Sequence, residues 1–160
     1  MQNSLCKGFS FGLVSGIITT LGLMIGLQSG THSRLVVIAG ILLIALTDAF
    51  SDALGIHISE ESENQHTTRE IWVATIATFC SKFIFALTFV VPVILFPLTM
   101  AMIISVIWGL FLIAIFSFYI AKQQKGIKVY KVIAEHIGLA LFVIIVTHYI
   151  GDWINTWVSN

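Results

Sequence analysis

Long apolar stretches dominate the chain, and short polar segments separate them. A helix needs roughly 20 mostly apolar residues to cross a bilayer, and five stretches reach that length. They are residues 8–28, 35–58, 71–96, 98–121 and 132–158. None shows the alternation of a barrel strand, and backbone groups in lipid must be bonded within their own segment. The pattern therefore predicts an all-α polytopic membrane protein, in which residues 1–160 form a single transmembrane domain, a five-helix bundle.

Composition agrees with this fold class. Of the 160 residues, 58% are hydrophobic and only 10% are charged, whereas a soluble domain carries about 25% charged residues. The predicted surroundings are therefore the lipid bilayer. The net charge is zero, so nothing indicates a nucleic-acid partner. Cys6 and Cys80 lie far apart and form no disulfide or zinc pattern, which predicts that both are apolar fillers.

The basic residues between the stretches predict the orientation of the bundle. Lysine and arginine accumulate in cytoplasmic loops. With the N-terminus in the cytoplasm, Arg34 is the outer basic residue and six others are inside: Lys7, Arg69, Lys122, Lys125, Lys128 and Lys131. We therefore predict a cytoplasmic N-terminus, and the short chain favours a prokaryotic plasma membrane.

Two carboxylates lie inside the second apolar stretch. Asp48 and Asp52 are four residues apart and share one face of a helix. A charged residue at the centre of a membrane helix costs about 2.5–3.5 kcal/mol, so two on one face need a reason. One interpretation is a pathway for a cation. The other is a pair of structural carboxylates, protonated or paired with a lysine, and Lys82 in the third stretch either pairs with them or extends to the interface.

An acidic segment follows the second stretch, in a predicted connection of about a dozen residues. It holds His57, Glu60, Glu61 and Glu63, followed by His66 and Glu70. Carboxylates and imidazoles suit Fe²⁺ or Mn²⁺, which makes His57, Glu60, Glu61 and Glu63 candidate metal ligands. Their spacing matches no compact metal motif, so a solvated acidic loop is the alternative.

The first stretch carries glycines at helical spacing, and its polar residues suggest a role beside the aspartates. The glycines are Gly8, Gly12, Gly16, Gly22, Gly26 and Gly30. Such spacing lets another helix approach closely, either within the bundle or across a homodimer interface. Ser15 and Thr19 are candidate ligands beside the aspartates, and bonds to their own helix carbonyls are the alternative.

Two further patterns concern the later helices. Pro92 is expected to kink or break the third helix, and Pro97 marks a tight turn before the fourth. His148 and Asp152 are helical neighbours, which favours a local hydrogen bond over a proton or metal relay. No other catalytic spacing falls on one predicted face, so the sequence predicts that the protein is not an enzyme.

Four segments together resemble the vacuolar iron transporter family of divalent-metal transporters. They are FGLVSGIITTLGLMIG at 11–26, TDAFSDALGIHIS at 47–59, VVPVILFP at 90–97 and VTHYIG at 146–151. The resemblance covers all five stretches. It implies a homodimer that exports Fe²⁺ or Mn²⁺ from the cytoplasm in exchange for protons, with the ion as cargo and no cofactor.

The chain departs from the pattern of that family at its polar positions. Ser15 stands where the family has an aspartate, and Asp52 stands where it has a methionine. Ile56 and His57 replace a glutamate and a tyrosine, and the long metal-binding insert of eukaryotic members is absent. One hypothesis is that the pathway carboxylate has moved from the first helix to the second. The alternative is a protein that keeps the fold without transport, with Asp52 and Lys82 as a structural pair.

Overall fold

The protein is all-helical throughout the part that the computed structural model describes, residues 2–123 and 128–158. It contains six helices: α1 (Gln2–Thr31), α2 (Arg34–Ser62), α3 (Thr68–Thr88), α4 (Val90–Leu95), α5 (Leu98–Gln123) and α6 (Val129–Val158). Helices α3 and α4 together make one span, so five segments are long and apolar enough to cross a membrane. The predicted all-α class and the five segments of spanning length are confirmed, and insertion into a membrane stays a prediction. Lys125 lies outside the described residues.

Helix α1 is the centre of the bundle. It packs against α2, α3, α5 and α6, and its side chains Leu13, Ile17, Leu21 and Met24 are wholly buried. In α6, by contrast, only 6% of the most apolar 18-residue stretch is buried inside the bundle. The sequence gives these two helices similar hydropathy, but their burial differs because α1 has neighbours on several sides.

The glycines of α1 divide into two sets, each facing a different helix of the same chain. Gly8, Gly12 and Gly16 face α3, while Gly22, Gly26 and Gly30 face α6. A Cβ at Gly12 would lie 2.3 Å from the carbonyl oxygen of Thr78, so no larger residue fits there. These glycines therefore serve packing within the bundle. A homodimer through α1 stays a prediction, and its interface would have to use other residues.

The connection between α2 and α3 is shorter than the sequence predicted. It comprises residues 63–67, because α2 continues through the first acidic residues to Ser62. Asn64 adopts a left-handed conformation with φ of 56° just after the helix. Thr67 and Glu70 then form a reciprocal capping box at the start of α3. The expected connection of about a dozen residues was wrong, since its ends are helical.

The break between α3 and α4 follows from proline chemistry. Pro92 has no N–H to offer the carbonyl group of Thr88, the residue at which α3 ends. Phe96, just before Pro97, is extended, with φ of −120° and ψ of 159°. Its carbonyl oxygen accepts a hydrogen bond of 2.9 Å from Arg34 Nη2, which ties the turn to the start of α2. The predicted break and turn are confirmed.

The bundle has two ends of different character. The end at which α1 begins, here called the Lys7 end, also holds the end of α2 and the start of α3. The opposite end holds Arg34 and the turn at Phe96. Which end faces the cytoplasm stays a prediction from the charge distribution.

Candidate functional site

Three helices bring four polar side chains together, here called the central cluster: Ser15, Asp48, Asp52 and Lys82. The Ser15 hydroxyl donates a hydrogen bond of 2.7 Å to Asp52 Oδ2. Lys82 Nζ donates to Ser15 Oγ at 3.0 Å and to Asp52 Oδ2. It also lies 2.6 Å from Asp48 Oδ2, as an ion pair. The cluster is therefore a lysine ammonium held between two aspartates and a hydroxyl.

Each member of the central cluster is placed by the local structure of its helix. Asp48 and Asp52 are one turn apart on α2, as predicted. Ser15 and Lys82 meet because α1 and α3 approach closely at Gly16, where a Cβ would lie 2.9 Å from Lys82 Cγ. A glycine at position 16 thus makes room for the lysine stem.

Lys82 is buried rather than extended to an interface. Only 1% of the residue is exposed. Of the two alternatives that the sequence left open, extension to the interface and pairing with an aspartate, the structure shows pairing, and it involves both aspartates. Burial of a lysine is tolerated where carboxylates face its ammonium. Position 82 lies near the middle of the third span, and two carboxylates there attract the ammonium more strongly than a distant headgroup region does.

The charges of the central cluster do not cancel. Two aspartates facing one lysine leave one negative charge when all three groups are ionised. The side chains of Asp48 and Asp52 are 25% and 20% exposed, so the carboxylate side of the cluster is partly open. Carboxylate and hydroxyl oxygens are suitable ligands for hard divalent cations, but here the ammonium holds the position between them.

Five predicted ligands lie outside the central cluster, and three of them, Thr19, His57 and Glu61, join no other polar cluster. Thr19 donates to the carbonyl of Ser15 on its own helix at 3.0 Å, which is the alternative the sequence left open. His57 Nδ1 lies 2.9 Å from Thr75 Oγ1, and its ring packs edge-on against Trp72. Glu61 is exposed. The structure does not bring these three residues to a shared point.

A second polar group, here called the Lys7 cluster, contains Lys7, Glu60, Glu63 and His66. Lys7 Nζ forms an ion pair with Glu60 Oε1 and lies 3.5 Å from Glu63 Oε1. His66 Nε2 lies 3.3 Å from Glu60 Oε2 and 3.5 Å from Glu63 Oε2. The ligand atoms of Glu60, Glu63 and His66 all lie within 4.8 Å of one another. Two of the predicted acidic ligands thus meet in space.

The two clusters lie along one helix. Glu60 follows Asp52 by eight residues, which is about 12 Å along an α-helix. Ala53, Ile56 and Glu60 continue the buried face of α2. The sequence missed Lys7 and His66 as members of the Lys7 cluster, because neither is near Glu60 within a single helical face. The excess of acidic residues at the end of α2 was the available signal.

Other polar contacts join α5 and α6 or lie at the surface. Ser117 Oγ lies 2.7 Å from His136 Nδ1, a pair that the sequence did not indicate. His148 Nε2 and Asp152 Oδ2 are 3.5 Å apart and about half exposed, which agrees with a local contact. Neither pair includes a member of the two clusters.

Comparisons of the chain with protein-family models, with curated proteins and with solved structures find no match. The resemblance to vacuolar iron transporters therefore stays a prediction carried by the sequence segments that suggested it. What the structure adds is the geometry of two carboxylate–lysine clusters in a bundle of five potential membrane spans.

Proposed function

We propose that this protein is a membrane transporter that moves a divalent cation, Fe²⁺ or Mn²⁺, out of the cytoplasm in exchange for protons. Asp48 and Asp52 are the proposed ion-binding carboxylates, and Ser15 supplies a further oxygen. The observation that carries this proposal is the convergence of both aspartates on one position inside a bundle of five helices that are long and apolar enough to span a membrane.

The excess of carboxylate over lysine supports transport over a purely structural role. One aspartate is enough to neutralise Lys82, and a second one adds the cost of another charge in an apolar layer. A site for a divalent cation needs the second negative charge to balance the charge of the ion. A divalent ion facing two carboxylates is electrically balanced once the Lys82 ammonium has moved aside.

The chemistry of the oxygen ligands supports the proposed class of ion. Aspartate and serine oxygens suit Mn²⁺, while thiolates, which select softer ions, are absent from the central cluster. The choice of Fe²⁺ or Mn²⁺, the outward direction and the exchange for protons come from the resemblance. Protons compete with a cation for the same carboxylate oxygens, which is the physical basis of such an exchange.

One observation favours a second candidate, a membrane protein that does not transport. Lys82 is 1% exposed and contacts three members of its cluster, so it already fills the position that an ion would take. In that case Asp52 and Lys82 form a structural pair that fixes α2 against α3.

Ion flux into proteoliposomes tests the proposal. Mn²⁺ uptake is measured with and without a pH gradient, for the wild type, Asp52→Asn and Asp48→Asn. Asp152→Asn is the matched control, because Asp152 is half exposed and lies outside both clusters. We expect gradient-dependent flux in the wild type and the control, and its loss in the two central variants. Flux that persists in folded Asp52→Asn would overturn the site assignment.

A charge exchange separates the two candidates. The variants are Asp52→Lys, Lys82→Asp and the double exchange. Recovery of a folded bundle in the double exchange, where each single variant unfolds, would show that Asp52 and Lys82 stabilise the fold as a pair, because an ion pair is kept while the two carboxylates of α2 are separated. Absence of Mn²⁺ and Fe²⁺ flux in the folded wild type would favour the non-transporting protein directly.

A further inference from the structure

The Lys7 cluster contains a carboxylate whose surroundings are unusual. Glu60 is wholly buried, and no backbone or hydroxyl group in the described residues donates a hydrogen bond to either of its oxygens. Its close charged contacts are Lys7 and His66. Buried carboxylates are ordinarily satisfied by hydrogen bonds or by a metal ion. Glu60 thus points into the cluster with only Lys7 and His66, both partly exposed, beside its oxygens.

The positions around Glu60 supply the rest of a ligand set. His66 Nε2 and a carboxylate oxygen from each of Glu60 and Glu63 lie within 4.8 Å of one another. Atoms that bind one ion at about 2.0–2.2 Å lie at most about 4.4 Å apart, so small side-chain movements would bring these three onto one ion. An imidazole and two carboxylates, all within residues 60–66, form a donor set suited to first-row divalent metals.

The backbone holds this ligand set in place. Glu60 lies in the last turn of α2, and Glu63 is the C-cap residue of that helix. Asn64 then turns the chain with φ of 56°. His66 immediately precedes Thr67, whose capping box with Glu70 fixes the start of α3. The imidazole is therefore presented by a tight, capped turn, which lowers the entropy lost when it binds an ion.

The Lys7 ammonium is not a metal ligand, but it fills the space that a bound cation would take. Its side chain is 47% exposed, and those of Glu63 and His66 are 43% and 30% exposed. Glu60 lies beneath them with no exposure. A long, half-exposed lysine can move into water at little cost, which would open the carboxylates to an incoming ion.

We propose that Glu60, Glu63 and His66 form a divalent transition-metal site at the Lys7 end of the bundle, and that the Lys7 ammonium occupies it in the absence of metal. The site is separate from the central cluster and does not depend on transport through it. A bound ion would link the end of α2 to the turn before α3 and replace the ion pair of Lys7.

Mn²⁺ binding to the full chain in detergent tests this site, with the loss of the free-ion electron paramagnetic resonance signal as the measurement. All variants are made in the Asp52→Asn background as well as in the wild type, so that binding at the central cluster is measured separately. Excess Mg²⁺ is present, because an imidazole ligand favours a transition metal over Mg²⁺.

The expected results run in opposite directions for a ligand and for the occupant. Removing one ligand by Glu63→Gln or His66→Asn should weaken Mn²⁺ binding about tenfold or more. Lys7→Met should tighten it several-fold, because it removes the competing ammonium and keeps every ligand. Glu61→Gln is the matched control: it removes the same charge from the neighbouring exposed position, and binding should stay unchanged.

Two results would overturn the site. One is equal weakening in Glu61→Gln and Glu63→Gln, which would indicate general attraction of cations to an acidic surface. The other is unchanged Mn²⁺ affinity in Lys7→Met together with unchanged affinity in Glu63→Gln. Both single-site variants change partly exposed side chains, and a folded bundle is verified by its helical circular dichroism. Absence of Mn²⁺ flux in the wild type, together with intact Mn²⁺ binding at this site, would count against the proposed transport alone.

Discussion

The two carboxylate–lysine clusters use the same chemistry in different surroundings. In the central cluster the lysine is 1% exposed and the carboxylates are about one-quarter exposed or less. In the Lys7 cluster the order is reversed, since the lysine is 47% exposed while Glu60 is wholly buried. One lysine is enclosed by the bundle, whereas the other reaches over a carboxylate from the edge.

This difference decides how readily each lysine can leave. Lys82 would have to cross packed side chains, because its stem lies against Gly16 of α1. Lys7 has water beside it and loses little by turning outward. An ion at the Lys7 cluster therefore competes with an exchangeable ammonium. An ion at the central cluster must displace a buried one, which requires a rearrangement of α1, α2 or α3.

The largest expected effect comes from removing the buried lysine. Lys82→Met leaves Asp48 and Asp52 facing each other without a cation and should lower the free energy of unfolding by about 3–5 kcal/mol. Unfolding in detergent, followed by circular dichroism, measures the change. Lys128→Met, an exposed lysine, is the control and should stay within about 0.5 kcal/mol of the wild type.

A triple variant sharpens this test. Adding Asp48→Asn and Asp52→Asn to Lys82→Met removes all three charges and should restore much of the lost stability. If Lys82→Met alone unfolds no more easily than Lys128→Met, the central cluster does not hold the bundle together.

A smaller effect is expected from crowding the stem of Lys82. A Cβ at Gly16 would lie 2.9 Å from Lys82 Cγ and 3.1 Å from its Cα, so Gly16→Ala should destabilise the bundle by about 1–3 kcal/mol. Gly55→Ala is the matched control on a neighbouring helix, because nothing lies within 4 Å of its new Cβ. That control should be neutral or slightly stabilising. Equal unfolding curves for the two alanine variants would contradict the close packing of α1 on α3.

The smallest effect should follow removal of the exposed lysine. Lys7→Met should cost about 1–2 kcal/mol, because the ammonium it removes is half exposed and the wholly buried Glu60 keeps His66 Nε2 at 3.3 Å. The cost should shrink at about 1 M salt, where charges are screened over about 3 Å. The cost of Lys82→Met should not change with salt. A salt-dependent cost for Lys82→Met would remove the distinction between the clusters.

The sequence predicted more of the fold than of either cluster. The apolar stretches at 35–58 and 98–121 correspond to α2 and α5 within a few residues, since hydropathy over a bilayer's length leaves little choice of structure. Pro92 likewise located the break after α3. The acidic residues after Ile58 were assigned to a loop, but Glu60 and Glu61 extend α2, because glutamate is a good helix former once a helix is under way.

Within the central cluster, sequence spacing was enough for Asp48 and Asp52, which share a helix face at any tertiary arrangement. Sequence spacing could not decide whether Lys82 pairs with the aspartates or extends to the interface, because pairing depends on how far α3 lies from α2. Thr19 and Ser15 have similar chemistry and lie one turn apart, yet only Ser15 reaches Asp52. The rotation of α1 about its axis decides which of the two faces α2, and the local sequence pattern does not predict that rotation.

The sequence alone determined that the chain forms five apolar helices and that two aspartates lie on one face of the second. Hydropathy and helical periodicity are local properties, so a single segment carries them. The tertiary structure decided that Lys82 lies between those aspartates and that Lys7 covers Glu60. Both pairings join different helices, so they depend on how α1, α2 and α3 pack against one another and not on any single segment.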